Sequence, residues 1–233
     1  MRLHRFIRNV DLPTSLGERV TVVDAELAHQ IANVLRLTPH DHIILADNKE
    51  SEAEIELLTI DTQEGIVVGT LVTFGENKKA QATVHLYVAM PKRDLFETIV
   101  AMTTQLGVTS ITPVVCERTV KVGVHLERTE RIAREAAETA GRNAMPIVND
   151  IISFSDALTQ AKGTKILFDG GGEKISTHEN LETYSLFIGP EGGFTQQEIE
   201  EAKTHSAIIA SLGNLTLRIE TAAVAAVALT QLQ

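Results

Sequence analysis

The segment Phe187-Ile188-Gly189-Pro190-Glu191-Gly192-Gly193-Phe194-Thr195 joins an apolar run to a marked helix start. Tyr184 to Ile188 reads as a buried strand. Thr195 and Glu198 have the spacing of a capping box, and Phe194 and Ile199 that of a hydrophobic staple, so a helix is predicted from Gln196 to His205. Three glycines around a rigid proline let the backbone approach a ligand closely and adopt positive φ where needed. A tight turn without a ligand needs only one or two of them, so the segment reads as a strand-loop-helix ligand site. It lacks the Lys-Ser/Thr ending of a phosphate cradle and the spaced glycine triplet of a dinucleotide fold. In Gly170-Gly171-Gly172, Ile175 stands where a third spaced glycine would be. Glu191 would repel a phosphate but suits a cationic group such as a sulfonium or an amino terminus.

On either side of this loop, strands and helices alternate, as a mostly parallel sheet requires. Strands are predicted at Ala82 to Met90, Ser110 to Val115, Lys165 to Asp169 and Ala207 to Leu212. Helices are predicted at Leu126 to Ala140, Ser155 to Ala161 and Glu220 to Leu232. A further helix opens on the capping box of Asp94 and Glu97 and carries Leu95, Ile99, Met102 and Leu106. Upstream of the polar stretch Gly75-Glu76-Asn77-Lys78-Lys79-Ala80 the pattern changes. Short β-like runs dominate there, at His42 to Ala46, Ala53 to Ile60 and Ile66 to Phe74. Asp24 can cap a helix whose Leu27, Ile31, Val34 and Leu35 share a face. The expected organisation is a small β-rich domain, a barrel, over residues 1–74, a linker over 75–80 and an α/β domain over 81–233.

Composition bounds the function. Of the 233 residues, 43% are hydrophobic and 22% charged, the balance of a globular protein. The longest apolar run, Ala222 to Leu229, is far short of the roughly 20 residues a membrane span needs. The start carries Arg2, Arg5 and Arg8 with no signal-peptide core. A single cysteine, Cys116, excludes an intrachain disulfide. A cytoplasmic protein with no membrane partner is expected. The net charge of −10 argues against a nucleic-acid partner, yet the charge is unevenly placed. Asp41 to Glu64 holds eight acids against Lys49, whereas residues 1–40 hold five arginines against four acids. A local basic face and ordinary solvated charge both fit that count.

A second segment, Leu212-Gly213-Asn214-Leu215-Thr216-Leu217-Arg218-Ile219-Glu220-Thr221-Ala222, places Arg218 at the start of the last helix, where the dipole disfavours a cation. A salt bridge to Glu220 or another acid, or an anionic substrate group, would compensate. Cys116 follows the apolar run Ile111 to Val115 and reads as a packed small hydrophobe rather than a nucleophile. The eight histidines show no clustered ligand spacing, and no metal is expected.

Together these residues resemble the RsmE family of 16S rRNA (uracil-N3) methyltransferases, of the SPOUT superfamily. The resemblance rests on Gly189-Pro190-Glu191-Gly192-Gly193-Phe194, Leu212-Gly213, Leu217-Arg218 and Glu220-Thr221-Ala222. It continues in His29 with Val34-Leu35-Arg36-Leu37, Leu106-Gly107-Val108, Pro113 with Glu117-Arg118, and Glu135-Ala136 with Arg142 and Pro146, and covers essentially the whole chain. It implies an N-terminal PUA-like β-barrel that helps hold RNA, and a C-terminal α/β SPOUT domain with a deep trefoil knot. It also implies a homodimer acting on 16S rRNA of the small ribosomal subunit with S-adenosyl-L-methionine as cofactor. The cofactor would lie against Leu167, Phe168, Asp169 and Gly170, against Ile188, Gly189, Pro190, Glu191, Gly192 and Gly193, and against Leu212, Gly213, Asn214, Leu215 and Leu217. Arg2, Arg5, His29, Arg36, Lys92, Arg93, Arg118 and Arg142 would face RNA. Arg118 and Arg218 would stabilise charge on the uracil oxygens, with Glu191 or Glu220 accepting the N3 proton. Met102 and Gln105 depart from the usual lysine and glutamate, and Thr139-Ala140 from glutamine and serine, which bears on the exact nucleotide. A knotted methyltransferase of tRNA or of another rRNA site, and a catalytically silent RNA-binding relative, are the alternatives.

Overall fold

The structure is a computed structural model and describes residues 3–75, 82–91, 93–119, 123–174 and 182–231. Arg2, Lys92 and most of the expected linker lie outside them. The chain divides into two compact units: Met1–Lys79 with Ala137–Met145, and Ala80–Ala136 with Pro146–Gln233.

In the first unit, β1 (His4–Ile7), β2 (Arg19–Val23), β3 (His42–Ala46), β4 (Glu52–Asp61) and β5 (Ile66–Phe74) form one sheet in the order β1-β3-β4-β5-β2. The β1–β3 pair is parallel and the others antiparallel. Among the described residues no pairing joins β1 to β2, so the sheet path is open. Alternation builds the core: Ala53, Ile55 and Leu57 are buried while Glu54 and Glu56 between them are partly exposed. Opposite Leu57, the sheet requires a glycine, since a Cβ on Gly69 would stand 2.2 Å from Ile55 Cγ2 and 2.8 Å from the Glu56 carbonyl oxygen. Gly69→Ala is expected to cost about 1–3 kcal/mol by overpacking, read as a lowered denaturation midpoint.

Asp24 caps α1 (Ala25–His29) by accepting the Leu27 N–H at 2.9 Å. Leu27 and Ile31 are buried as the spacing predicts, but Val34 is 64% exposed. The reason is a widened π-type turn over Gln30–Val34, closed by Leu35 N–H donating to the Gln30 carbonyl, which carries Val34 out of phase with Ile31.

Residues 137–145 belong to this unit because buried polar groups hold them there. Glu138 Oε1 accepts the Ile7 N–H at 2.9 Å and Arg8 Nη1 at 3.1 Å, while Arg8 Nε reaches Asp24 Oδ2 at 2.6 Å. Arg5 pairs with Glu52 and donates to Asn143 Oδ1 at 3.0 Å. Ile7, Ala46 and Ala137 are buried beside them, with Met145 packed against that cluster.

The second unit is an α/β layer structure. Its elements are β6 (Thr83–Ala89), α2 (Arg93–Gln105), β7 (Ser110–Val115), α3 (Leu126–Ala140, whose last residues fall in the first unit), β8 (Ile147–Val148), β9 (Ile152–Ser153), α4 (Phe154–Gln160), β10 (Thr164–Lys174), β11 (Thr183–Ile188), α5 (Gln196–Thr204), β12 (Ile208–Ser211) and α6 (Ile219–Gln231). The sheet order is β12-β10-β11-β6-β7-β8, with β9 also on β7, and every pairing is parallel. Such strands are covered on both faces, hence the near-continuous apolar runs Val84 to Met90 and Tyr184 to Ile188. The Asp94/Glu97 box is not what opens α2: the helix already includes Arg93, and Glu97 instead accepts from Arg128 Nη2 at 2.8 Å. At the other end α6 is latched by buried Gln231, whose amide donates to the carbonyls of Ala82 at 2.7 Å and Gly107 at 3.2 Å. Among the described residues no helix is long and apolar enough to cross a membrane.

Candidate active site

The loops after β11 and β12 and the irregular stretch of β10 between Phe168 and Glu173 surround a cleft of about 670 Å³. Ligands of parallel α/β sheets bind at the carboxyl end of the strands. Each loop is shaped by its own sequence. Around Pro190, Gly193 N–H donates to the Pro190 carbonyl at 2.8 Å with Gly193 at φ +70°. Phe194 folds back so closely that a Cβ on Gly189 would sit 2.9 Å from its ring, and the ring lies 5.3 Å from Phe154. The expected capping box is present: Thr195 Oγ1 accepts the Glu198 N–H, and Glu198 Oε2 accepts the Thr195 N–H at 2.8 Å. After β12, Ser211 Oγ closes a short turn by donating to the Gly213 carbonyl at 2.9 Å and accepting its N–H at 3.2 Å. On the β10 side, Asp169 accepts the Gly171 N–H, and Gly172 lies against Ala210 with no room for a side chain.

The cleft brings together most of the residues expected at a cofactor site: Phe168, Asp169, Gly170, Ile188, Gly189, Pro190, Glu191, Gly193, Leu212, Gly213, Asn214, Leu215 and Leu217. Leu167 is fully buried below it, and Gly192 turns to Arg118. Thr216, within the expected stretch Leu212 to Leu217, also lines it, as do Gly172, Phe194, Ser211, Ile219 and Ala222, which sequence reasoning did not place at the cofactor although Phe194, Ile219 and Ala222 lie within the motifs. Space is left beside Gly170, Gly193 and Gly213, where an added Cβ would meet nothing within 4 Å.

Arg218 lines the cleft and is exposed, and its carbonyl accepts the Ala222 N–H at 2.8 Å as α6 begins. Among the described residues no carboxylate pairs with it, so the Glu220 salt bridge is not formed. Glu191 also lines the cleft. Glu220 stands in the first turn of α6, off the lining, with a buried Oε2 that has no hydrogen-bond partner among the described residues. Arg118 is exposed and donates from Nη1 to the Gly192 carbonyl at 2.6 Å. Cys116 is buried, and its thiol is pushed up to about 12 by desolvation and by the Glu198 carboxylate, against a smaller opposing effect of Thr119. At neutral pH it stays a protonated, packed group.

The residues expected to face RNA are scattered differently. His29 and Arg36 are exposed near α1, and Arg36 adopts φ +57°. Arg93 is the first residue of α2. Arg5 is placed as a structural cation, satisfied inside the first unit by Glu52, Asn143 and the Arg142 carbonyl. Burial pulls the Arg142 guanidinium down to about 10. Among the described residues no group of three potential metal ligands occurs.

A parallel α/β sheet with a glycine-lined cleft at its carboxyl edge, bordered by arginine and carboxylate, defines a ligand-binding α/β domain. The RNA methyltransferase domain family matches residues 77–231. Proteins named ribosomal RNA small subunit methyltransferase E are 30% identical in Bacillus subtilis, over 86% of this chain and 85% of theirs, and 31% identical in Synechocystis, over 90% and 71%. The crystal structure of that enzyme from Neisseria gonorrhoeae bound to S-adenosylmethionine superposes with a TM-score of 0.90 at 27% identity, covering 99% of this chain and 98% of that one. A Legionella pneumophila methyltransferase solved with the same cofactor gives 0.86 at 25% identity, covering 100% and 98%. The chain belongs to the RNA methyltransferase family and, within it, to the ribosomal RNA small subunit methyltransferase E proteins.

Proposed function

We propose that this protein methylates N3 of one uridine of 16S rRNA, uracil-1498 in the family's designation, on the assembled small subunit. The observation that carries this reading is the cleft, which lies wholly within the matched family region and puts Arg218 and Glu191 on one ligand-sized space. Its residues fit S-adenosylmethionine. Phe168, Ile188 and Phe194 offer an apolar wall for an adenine, open glycine backbone lets the ligand approach, and Glu191 suits a cationic group. When bound, S-adenosylmethionine supplies an activated methyl group on a sulfonium.

The protein's residues supply the rest. N3 of uracil carries a weakly acidic proton, about as acidic as that of a tyrosine, which must be lost before the nitrogen can attack. Arg218, and Arg118 held at Gly192, stabilise the charge that develops on O2 and O4. Glu191, at the cleft, accepts the proton, or Glu220 does so through water with its unspent Oε2. Loop geometry supplies the positioning.

The remaining features form part of the same proposal. From β12, at the sheet edge beyond β10, the chain returns to pack α6 on α2, β11 and β6, a path that supports a trefoil knot in a SPOUT domain. The five-stranded sheet with α1 acts as the PUA-like RNA-holding domain. The protein works as a cytoplasmic homodimer through α6, whose Val224, Ala225, Ala228 and Leu229 stay partly exposed, so sedimentation is expected to give twice the chain mass. Mass spectrometry of 16S rRNA from a strain lacking the gene tests the activity: exactly one N3-methyluridine should disappear. Loss of a tRNA or other rRNA methyl group, or no loss at all, would replace this reading with one of the two alternatives.

A further inference from the structure

Glu198 does more than cap α5. It is a carboxylate only 7% exposed, and among the described residues no arginine or lysine pairs with it. A buried charge without a cation needs converging donors. Glu198 has them from two separate parts of the chain. Its Oε2 accepts from the Thr195 N–H at 2.8 Å and the Thr195 hydroxyl at 3.2 Å, whereas its Oε1 accepts the Glu117 N–H at 2.8 Å. A capping box uses only the first of these oxygens. The second reaches 81 residues back to the turn that carries Arg118.

That turn is short and internally closed. Thr119 N–H donates to the Cys116 carbonyl at 3.0 Å, and Thr119 Oγ1 accepts the Cys116 N–H at 2.9 Å. Arg118 leaves it and lies over Gly192, donating to its carbonyl at 2.6 Å, and a Cβ on Gly192 would stand 3.2 Å from Arg118 Cδ. The contacts form a ring from Glu198 through Thr195 and the glycine loop to Gly192, then through Arg118 and Glu117 back to Glu198. We propose that Glu198 is a positioning residue that couples the Pro190–Thr195 loop to the Arg118 turn, so that loop and arginine hold one shared register at the cleft. The proposal rests on the reading of Arg118 as part of the methyl-transfer machinery.

Glu198→Gln separates this role from capping. Glutamine has the same size but only one acceptor oxygen, so it can serve Thr195 or Glu117 but not both. Misplacement of a catalytic group by about an ångström costs up to about 100-fold, so kcat is expected to fall about ten- to 100-fold. In an Arg118→Ala background the same change should cost less than about two-fold, because the coupled group is already gone. A purely structural Glu198 would instead give effects on kcat that multiply, and that result, or wild-type kcat in E198Q, overturns the proposal. If E198Q does not fold, hydrogen exchange in the wild-type protein decides. Adding S-adenosylmethionine should slow the Glu117 amide about ten-fold, and an unchanged rate overturns the coupling. Exchange is read without RNA. A protein that binds the cofactor and shows the slowed amide, but methylates no uridine of 16S rRNA, would therefore remove the substrate reading alone.

Discussion

Arg218→Ala is expected to lower the rate of methyl transfer by about 100- to 1,000-fold, the usual cost of removing one preorganised donor from a developing anion. S-adenosylmethionine affinity should change by no more than a few-fold, because the part of Arg218 built into the local fold is its carbonyl, which starts α6 and survives the substitution. The guanidinium is exposed at the cleft with no carboxylate bound among the described residues, so it is free for a substrate anion. Arg118→Ala should differ in kind. Its Nη1 holds the Gly192 carbonyl, and its loss should weaken cofactor binding as well as turnover. Titration calorimetry beside single-turnover kinetics separates the two. Loss of cofactor binding in a folded Arg218→Ala protein would contradict the role given to that arginine.

The largest expected effect on stability lies in the first unit, far along the chain from the cleft motifs. Arg8 has a side chain 7% exposed, bound to Asp24 on one side and Glu138 on the other. Removing it takes from Asp24 and Glu138 the cation they share, and breaking a buried pair in this way costs about 3–5 kcal/mol. Arg8→Ala is therefore expected to lower the unfolding midpoint sharply in calorimetry, and to release the Glu138 segment that the first unit gathers from α3. The same network makes stability pH-dependent. Burial raises the Asp24 carboxyl, but the Leu27 N–H and the Arg8 charge outweigh it and hold the group below its ordinary value of 3.8. Because the folded pKa lies below the unfolded one, the stabilisation is complete above the unfolded value and is lost as pH falls through the folded value. Wild-type protein should lose stability on acidification below about pH 4, and Asp24→Asn should lack that portion of the loss. Equal acid sensitivity in both would show that Asp24 is not the group responsible.

What the sequence by itself determined is local and repetitive. The period of two in β4, the apolar runs of β6 and β11, and the Thr195/Glu198 box each depend on neighbours within a few residues, and each is found where the pattern placed it. The cleft was legible for the same reason, since its glycines and the Leu212 to Leu217 segment are contiguous motifs. Only the tertiary structure decided where charges go. Arg5 and Arg8 counted toward a basic face in the sequence, yet both are consumed by Glu52, Asp24, Glu138 and Asn143, all of which lie more than fifteen residues away and two beyond a hundred. Val34 left the core because the turn that continues α1, Gln30–Val34, widened, a change of phase that periodicity cannot express. The second oxygen of Glu198 likewise found a donor 81 residues away. A hydrophobic pattern records which side of an element is dry, whereas the partner of a buried charge is set by whichever element the chain folds against it.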